Sequence, residues 1–227
     1  MEANQPILSA IDLHRQFPTT EGMLPVLKGV TLSIEQGRMV AVTGPSGVGK
    51  STLLHILGGL DRPTRGEVLL GGESLAGKSE RALAALRNRK VGFVFQFHYL
   101  LDDFTARENV MIPMLLAGVD RQTATERAEL LLAEVSLTDR STHRPRELSG
   151  GEQQRVAVAR ALANEPEVVL ADEPSGNLDT ATGRKLHDLM LRLNAEKSTS
   201  FVIATHNREL ARQCDRELRL ADGRLAE

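Results

Sequence analysis

The segment Gly44-Pro-Ser-Gly-Val-Gly-Lys-Ser51 constrains this chain more than any other. It follows a continuous apolar run at residues 39–42 and precedes a helical pattern over 51–57. A glycine-rich turn between a buried strand and a helix gathers backbone N–H groups and a helix N-terminus around one point, which suits a phosphate. Gly44, Pro45, Ser46, Gly47, Val48 and Gly49 supply the wrapping backbone, and Thr52 adjoins it on the helix. Lys50 brings a mobile cation toward the β and γ phosphates of a nucleotide, and the Ser51 hydroxyl can ligate Mg2+. The spacing specifies nucleoside triphosphate binding but not what the energy drives.

Strand and helix patterns alternate on both sides of this loop. Alternation at 30–34 and short apolar runs at 39–42, 67–70, 91–97, 168–171 and 201–204 predict strands. Helices are expected over 79–90, over 120–135 with Ala124, Ala128, Leu131, Leu132 and Val135 on one face, and around Leu186, Leu189, Met190 and Leu193. Ser149 and Glu152 have the capping-box spacing that starts a helix running to about residue 163. A short helix is expected near Leu210, Ala211 and Cys214, and Asp222-Gly223 is a hairpin signal. This order reads as one 227-residue domain: an α/β core from 1–95 and 164–227, with a mostly helical block, 96–163, inserted into it.

Composition removes several classes. Lys plus Arg is 28 against 30 Asp plus Glu, and the net charge of −2 argues against a nucleic-acid partner. The single cysteine, Cys214, excludes an intramolecular disulfide framework. No apolar run reaches the ~18 residues of a membrane helix, so no direct membrane insertion is expected and the isolated chain should be soluble.

Residues 168–173 read Val-Val-Leu-Ala-Asp-Glu, an apolar strand ending in two acids. Carboxylates at the end of a buried strand are costly without a cation or hydrogen bonds. Beside a phosphate loop, Mg2+ would be that cation, with Asp172 holding its water shell and Glu173 polarising the attacking water. A strand end capped by solvated acids is the alternative.

Leu148-Ser-Gly-Gly-Glu-Gln-Gln154 narrows the class further. Ser149, Gly150 and Gly151 stand at a second helix N-terminus, where N–H groups and the helix dipole favour an anion. With this signature the chain resembles, over essentially its whole length, the nucleotide-binding subunits of ABC transporters. Kinases, GTPases and helicases share the phosphate loop but not the signature. The resemblance implies a P-loop NTPase (RecA-like) α/β core, an N-terminal antiparallel β subdomain and an inserted α-helical subdomain. It implies ATP hydrolysis with ATP and Mg2+ as cofactors, in a head-to-tail homodimer where Ser149, Gly150 and Gly151 of one copy face the γ-phosphate held by the other.

Matched position by position, the resemblance puts Phe17 where an aromatic stacks on adenine. Gln96 falls at the glutamine that senses Mg2+ and the attacking water, and His206 at the histidine that contacts the γ-phosphate. Asp179 ends the loop Ser175-Gly-Asn-Leu-Asp179 that crosses the dimer interface. Catalytic roles are thus expected for Glu173, His206 and Gln96, and metal ligation for Ser51, Gln96 and Asp172. Phe17, Ser175 and Asn207 depart from the commoner Tyr, Thr and Asp, although Asn207 can still cap a helix. His14, His55, His98, His143 and His187 show no metal spacing and are expected to be structural or exposed.

Within the family, Gln96-Phe-His-Tyr-Leu-Leu, Asp103-Phe-Thr-Ala, Glu108-Asn-Val, Leu57-Gly-Gly-Leu-Asp61 and His143-Arg-Pro-Arg-Glu-Leu148 are similar to the lipoprotein-release ATPases of Gram-negative bacteria. Asp102 departs from the proline expected there. That branch implies two integral membrane subunits of the LolC/LolE kind as partners, and a peripheral place on the cytoplasmic face of the inner membrane. Macrolide-type exporters and the cell-division ABC complex share the ATP motifs and stay open as alternatives. DNA-repair relatives carry coiled-coil or cysteine-rich inserts that this chain lacks, and a nucleotide kinase lacks the signature. Phe97, Tyr99, Leu100, Leu101 and Phe104 form an apolar-rich segment that is either a docking surface for a membrane subunit or local core.

Overall fold

The computed structural model describes residues 6–20 and 22–226. In chain order, β1 (Leu8–Thr19), β2 (Gly22–Ile34) and β3 (Met39–Thr43) precede α1 (Lys50–Leu57). Next come β4 (Arg65–Leu70), β5 (Glu73–Ser74), α2 (Glu80–Lys90) and β6 (Val91–Phe95). The helical stretch holds α3 (Ala106–Leu116), α4 (Arg121–Glu134) and α5 (Gly150–Ala161). The chain then alternates through β7 (Val168–Asp172), α6 (Thr180–Lys197), β8 (Ser200–Ala204) and α7 (Arg208–Gln213), and ends in β9 (Arg216–Ala221) and β10 (Arg224–Ala226).

Two sheets result. One is antiparallel, with order β2-β1-β4-β5, and the larger has order β10-β9-β3-β8-β7-β6. Within the larger sheet every pairing from β9 to β6 is parallel, and β10 folds back antiparallel on β9. Asp222 and Gly223 make that last turn with φ of 47° and 73°, the left-handed pair a two-residue hairpin needs. The strand predicted at 30–34 is the end of the 13-residue β2, and the one predicted at 91–97 stops at Phe95.

The parallel strands are apolar on both faces because both faces are covered. Val40, Val42, Leu170, Val202 and Ala204 face α1 and the antiparallel sheet, packing with Leu13, Leu53 and Leu57. Their neighbours Met39, Val169, Ala171, Phe201 and Ile203 face the other way, among Met190, Leu193 and Val158. That second cluster runs on into Met114 of α3 and Leu132 of α4, so the helical stretch shares its core with the sheet. The closest approach is at Gly92 of β6, where a Cβ would collide with the Ala161 carbonyl of α5. α5 therefore lies directly on the strand backbone.

Candidate active site

Four neighbouring parallel strands aim the chemistry at one edge. β3 runs into Gly44, β8 into Thr205 and His206, β7 ends in Asp172 before Glu173, and β6 runs into Gln96. In an open α/β sheet this carboxyl edge is where ligands bind.

The phosphate loop takes backbone that side chains would block. Gly44 has φ of 149°, and a Cβ there would collide with the Leu220 carbonyl. Gly49 caps α1 in the left-handed region (φ 107°) and offers no side-chain hydrogen bond; the first turn of α1 carries no acid. The first N–H groups of α1 thus keep their hydrogen-bonding capacity for a ligand. Lys50 is buried at 8% exposure. Its Nζ donates to the carbonyls of Gly44 (3.0 Å) and Pro45 (3.1 Å) and lies 3.9 Å from Glu173 Oε1.

Glu173 has φ of 45°, a left-handed conformation rare for a side-chain-bearing residue, and its N–H donates to Ala204 O at 2.9 Å. Its Oε2 accepts from the His206 backbone N–H at 3.3 Å and lies 2.9 Å from His206 Nδ1. One oxygen is tethered by His206 and the other faces Lys50. Asp172 Oδ1 is buried with no hydrogen-bond partner among the described residues. An orphaned carboxylate oxygen costs on the order of 1–3 kcal/mol, and a cation beside the phosphate loop would satisfy it. On that ground the residues present fit a Mg2+ ion.

Gln96 is placed by contacts distant in sequence. Its Nε2 donates to Asn177 Oδ1 (3.0 Å), and Asn177 Nδ2 donates back to Gln96 O (3.1 Å). Gly176 leaves room for it, since an ideal Cβ would stand 2.9 Å from Gln96 Nε2. Asp179 accepts from the N–H groups of Ala181 and Thr182, both at 3.0 Å, and so caps α6. Hydrogen bonds from Thr182 hold its carboxyl below the usual value. Asp179, Glu173 and His206 line one cavity of about 190 Å3.

The remaining predicted residues lie on other elements. Ser149 caps α5 as expected: Glu152 N donates to its Oγ (3.3 Å), and Glu152 Oε2 accepts from Ser149 N (2.8 Å) and Oγ (2.7 Å). Gly150 is exposed; Gly151 is buried where a Cβ would collide with Thr182. Phe17 is half-buried in β1 with the Arg15 guanidinium 4.3 Å from its ring centre. Asn207 caps α7.

Sequence reading missed several polar residues that hold the site. Gln154 is fully buried, and its Nε2 donates to Phe95 O at 3.0 Å. Arg160 donates to the carbonyls of His98 (2.7 Å) and Tyr99 (2.6 Å). Gln154 lay within the signature and Asn177 within the quoted interface loop, so both had a signal; Arg160 had none. The aromatic segment is divided. Phe93 and Phe95 stack at 5.7 Å and Leu100 packs on the helical core, while Phe97 and Tyr99 stand 61% and 65% exposed, with Leu101 and Phe104 also outward. His187 is buried, as a structural histidine would be.

Known proteins share this arrangement. A family profile described as "ABC transporter" matches residues 27–176, a span that holds the phosphate loop, the signature and both carboxylates. The chain is 53% identical over 214 residues to the lipoprotein-releasing system ATP-binding protein LolD of Syntrophus aciditrophicus, covering 94% of this chain and 96% of that protein. It is 51% identical over 219 residues to the LolD of Geobacter metallireducens, with 96% and 97% covered. Among solved structures, the dimeric post-hydrolysis state of the ATP-binding cassette MJ0796, bound to ADP and Pi, matches with TM-score 0.90 at 38% identity over 97% of each chain. With the sequence likeness running nearly end to end and the phosphate loop, both carboxylates, Gln96 and His206 at one sheet edge, this chain belongs to the ABC transporter ATPases.

Proposed function

We propose that this chain is the ATP-hydrolysing subunit of a transporter that releases lipoproteins from the inner membrane. The observation that carries the reading is 53% identity to a lipoprotein-releasing ATPase across 94% of the chain. The wall of the cleft between core and helices supports it. Leu60, Phe93, Phe95, Pro113 and Arg160 line a cavity of about 320 Å3 there, and the exposed Phe97 and Tyr99 follow Phe95 along the chain. Such a groove fits a short helix from an integral membrane subunit of the LolC/LolE kind. Among the described residues no helix is long and apolar enough to cross a membrane. In this reading the chain sits on the cytoplasmic face of that membrane.

In the catalytic step, Lys50 leaves the Gly44 and Pro45 carbonyls to meet the β and γ phosphates, where the free N–H groups of α1 also point. Ser51, Asp172 and Gln96 would hold Mg2+, which when bound neutralises phosphate charge. Glu173 takes a proton from the attacking water, with His206 fixing its Oε2 so that Oε1 stays turned toward Lys50. Phe17 would stack on the adenine. A second copy, head to tail, brings Ser149, Gly150 and Gly151 onto the γ-phosphate, with Asp179 at the interface.

Glu173→Gln should leave ATP binding intact, lower turnover by about a hundredfold or more, and favour the ATP-bound dimer in size-exclusion chromatography. Near-normal turnover would remove Glu173 from the role. Reconstituted with its membrane subunits, the chain should release a lipidated protein in an ATP-dependent way. Replacing Phe97 and Tyr99 with Ala should lower co-purification with those subunits and leave the ATPase of the isolated chain unchanged. A complex that transports a soluble compound and no lipidated protein would assign a different exporter.

A further inference from the structure

The loop from Glu173 to Asp179 is tightly wound, with Gly176 N donating to Glu173 O (2.9 Å) and Leu178 N to Ser175 O (3.1 Å). Asn177 ties it to Gln96 on one side, and Asp179 caps α6 at its end. Between them, Ser175 fits a notch in α6. Gly183 offers no side chain there, and an ideal Cβ would stand 3.4 Å from Ser175 Cβ. One turn further along, His187 is 3% exposed, and its Nε2 shares a 2.8 Å hydrogen bond with Ser175 Oγ. Both residues line the cavity that Glu173 and His206 border. Burial holds the His187 imidazole below its ordinary value, against the opposing pull of Asp188 and Glu209. The ring is therefore neutral at neutral pH, so one nitrogen can accept the serine proton.

A buried imidazole is costly unless its polar atoms are used, and here Ser175 uses one. Ser175 stands two residues from Glu173 and two from Asn177. A bond that fixes Ser175 on α6 fixes both neighbours: the carboxylate beside Lys50 and the amide that orients Gln96. We propose that His187 is a positioning residue for ATP hydrolysis, holding the Glu173–Asp179 loop through Ser175 so that Glu173 and Gln96 keep their places. The inference rests on the role proposed above for Glu173.

Steady-state hydrolysis by the full chain, read as kcat and KM, tests it. His187→Leu should lower kcat about tenfold with KM for ATP changed less than about twofold. Ser175→Ala removes the same bond from the other side and should give the same loss; it also keeps the test open if His187→Leu does not fold. The double variant should lose no more than either single one, since one interaction is removed once. His187→Gln, whose amide oxygen can reach the place of Nε2 and accept the Ser175 proton, should restore kcat to within about threefold of the parent. Equal activity of the Leu and Gln variants, or additive losses in the double variant, would overturn the inference. Glu173→Gln run alongside separates the two readings. If it hydrolyses ATP normally, the assignment of the base fails; if it is inactive while both His187→Leu and Ser175→Ala turn over normally, only the inference about His187 fails.

Discussion

Two helix N-termini in this protein look like anion sites, and they are built differently. α1 starts from a left-handed glycine with no side-chain cap, no acid in its first turn and a buried lysine as its first residue. α5 starts from Ser149, whose hydroxyl already accepts from Glu152 N, while Glu152 sits one turn inside with a negative charge. The N–H groups at α1 lack internal partners, whereas some of the corresponding groups at α5 have them. An acid near a helix N-terminus also offsets the dipole that would attract phosphate. Under the proposed function the difference would set an order: α1 would capture the nucleotide, and α5 would close on a phosphate already held elsewhere.

Lys50→Ala gives the largest effect expected from this asymmetry. ATP affinity of the isolated chain, measured by calorimetric titration, should fall about a hundredfold, while Ser149→Ala should change it less than about twofold. Similar losses in both variants would break the comparison. Gly151→Ala comes next. Its methyl would collide with Thr182, pushing α5 off α6, so turnover should fall about tenfold with the affinity of the isolated chain preserved. A smaller effect is expected from Glu152→Gln, which keeps the capping-box geometry and removes the charge. ATP-driven dimerisation should strengthen about twofold at low salt, and the gain should vanish at high salt.

The smallest effect concerns pH. The Ser149 backbone N–H, then its hydroxyl, hold the Glu152 carboxyl below its usual value. A depressed folded-state pKa means that this contribution is present above the unfolded value and is lost as pH falls through the folded one. Glu152→Gln should therefore lower the thermal unfolding midpoint slightly at neutral pH, flatten its acid limb below about pH 4 and leave the most acidic values nearly unchanged. An unaltered acid limb would show that the box adds nothing to stability there.

What could be read in advance was local. The phosphate loop, the paired acids at the end of β7 and the Ser149–Glu152 box each depend on residues within eight positions of one another, and their geometry follows from spacing alone. β1 was harder to see because its alternation breaks at Asp12, where φ is 49° and the register slips between Ala10 and Leu13. Pro113 lies inside α3, where a helix would ordinarily stop; it costs the bond to the Asn109 carbonyl, while its own carbonyl accepts from Ala117 N and from the side-chain amides of Asn88 and Asn164. The end of β6 was misjudged by two residues because Gln96 leaves the sheet to pair with Asn177, 81 residues on. The Ser175–His187 bond was likewise invisible, since only the packing of α6 on its preceding loop brings them together.

The bare crossing at Gly92 also has a mechanical meaning. With no side chain on Gly92, the C-terminal end of α5 meets the strand backbone directly, while Gln154 nearer its start is tied to the end of the same strand. Ser149 stands 12 residues away along the same helix, a lever arm of about 18 Å. A tilt of only about 5° about the Gly92 contact would displace Ser149 by roughly 1.5 Å, enough to make or break a hydrogen bond to a phosphate.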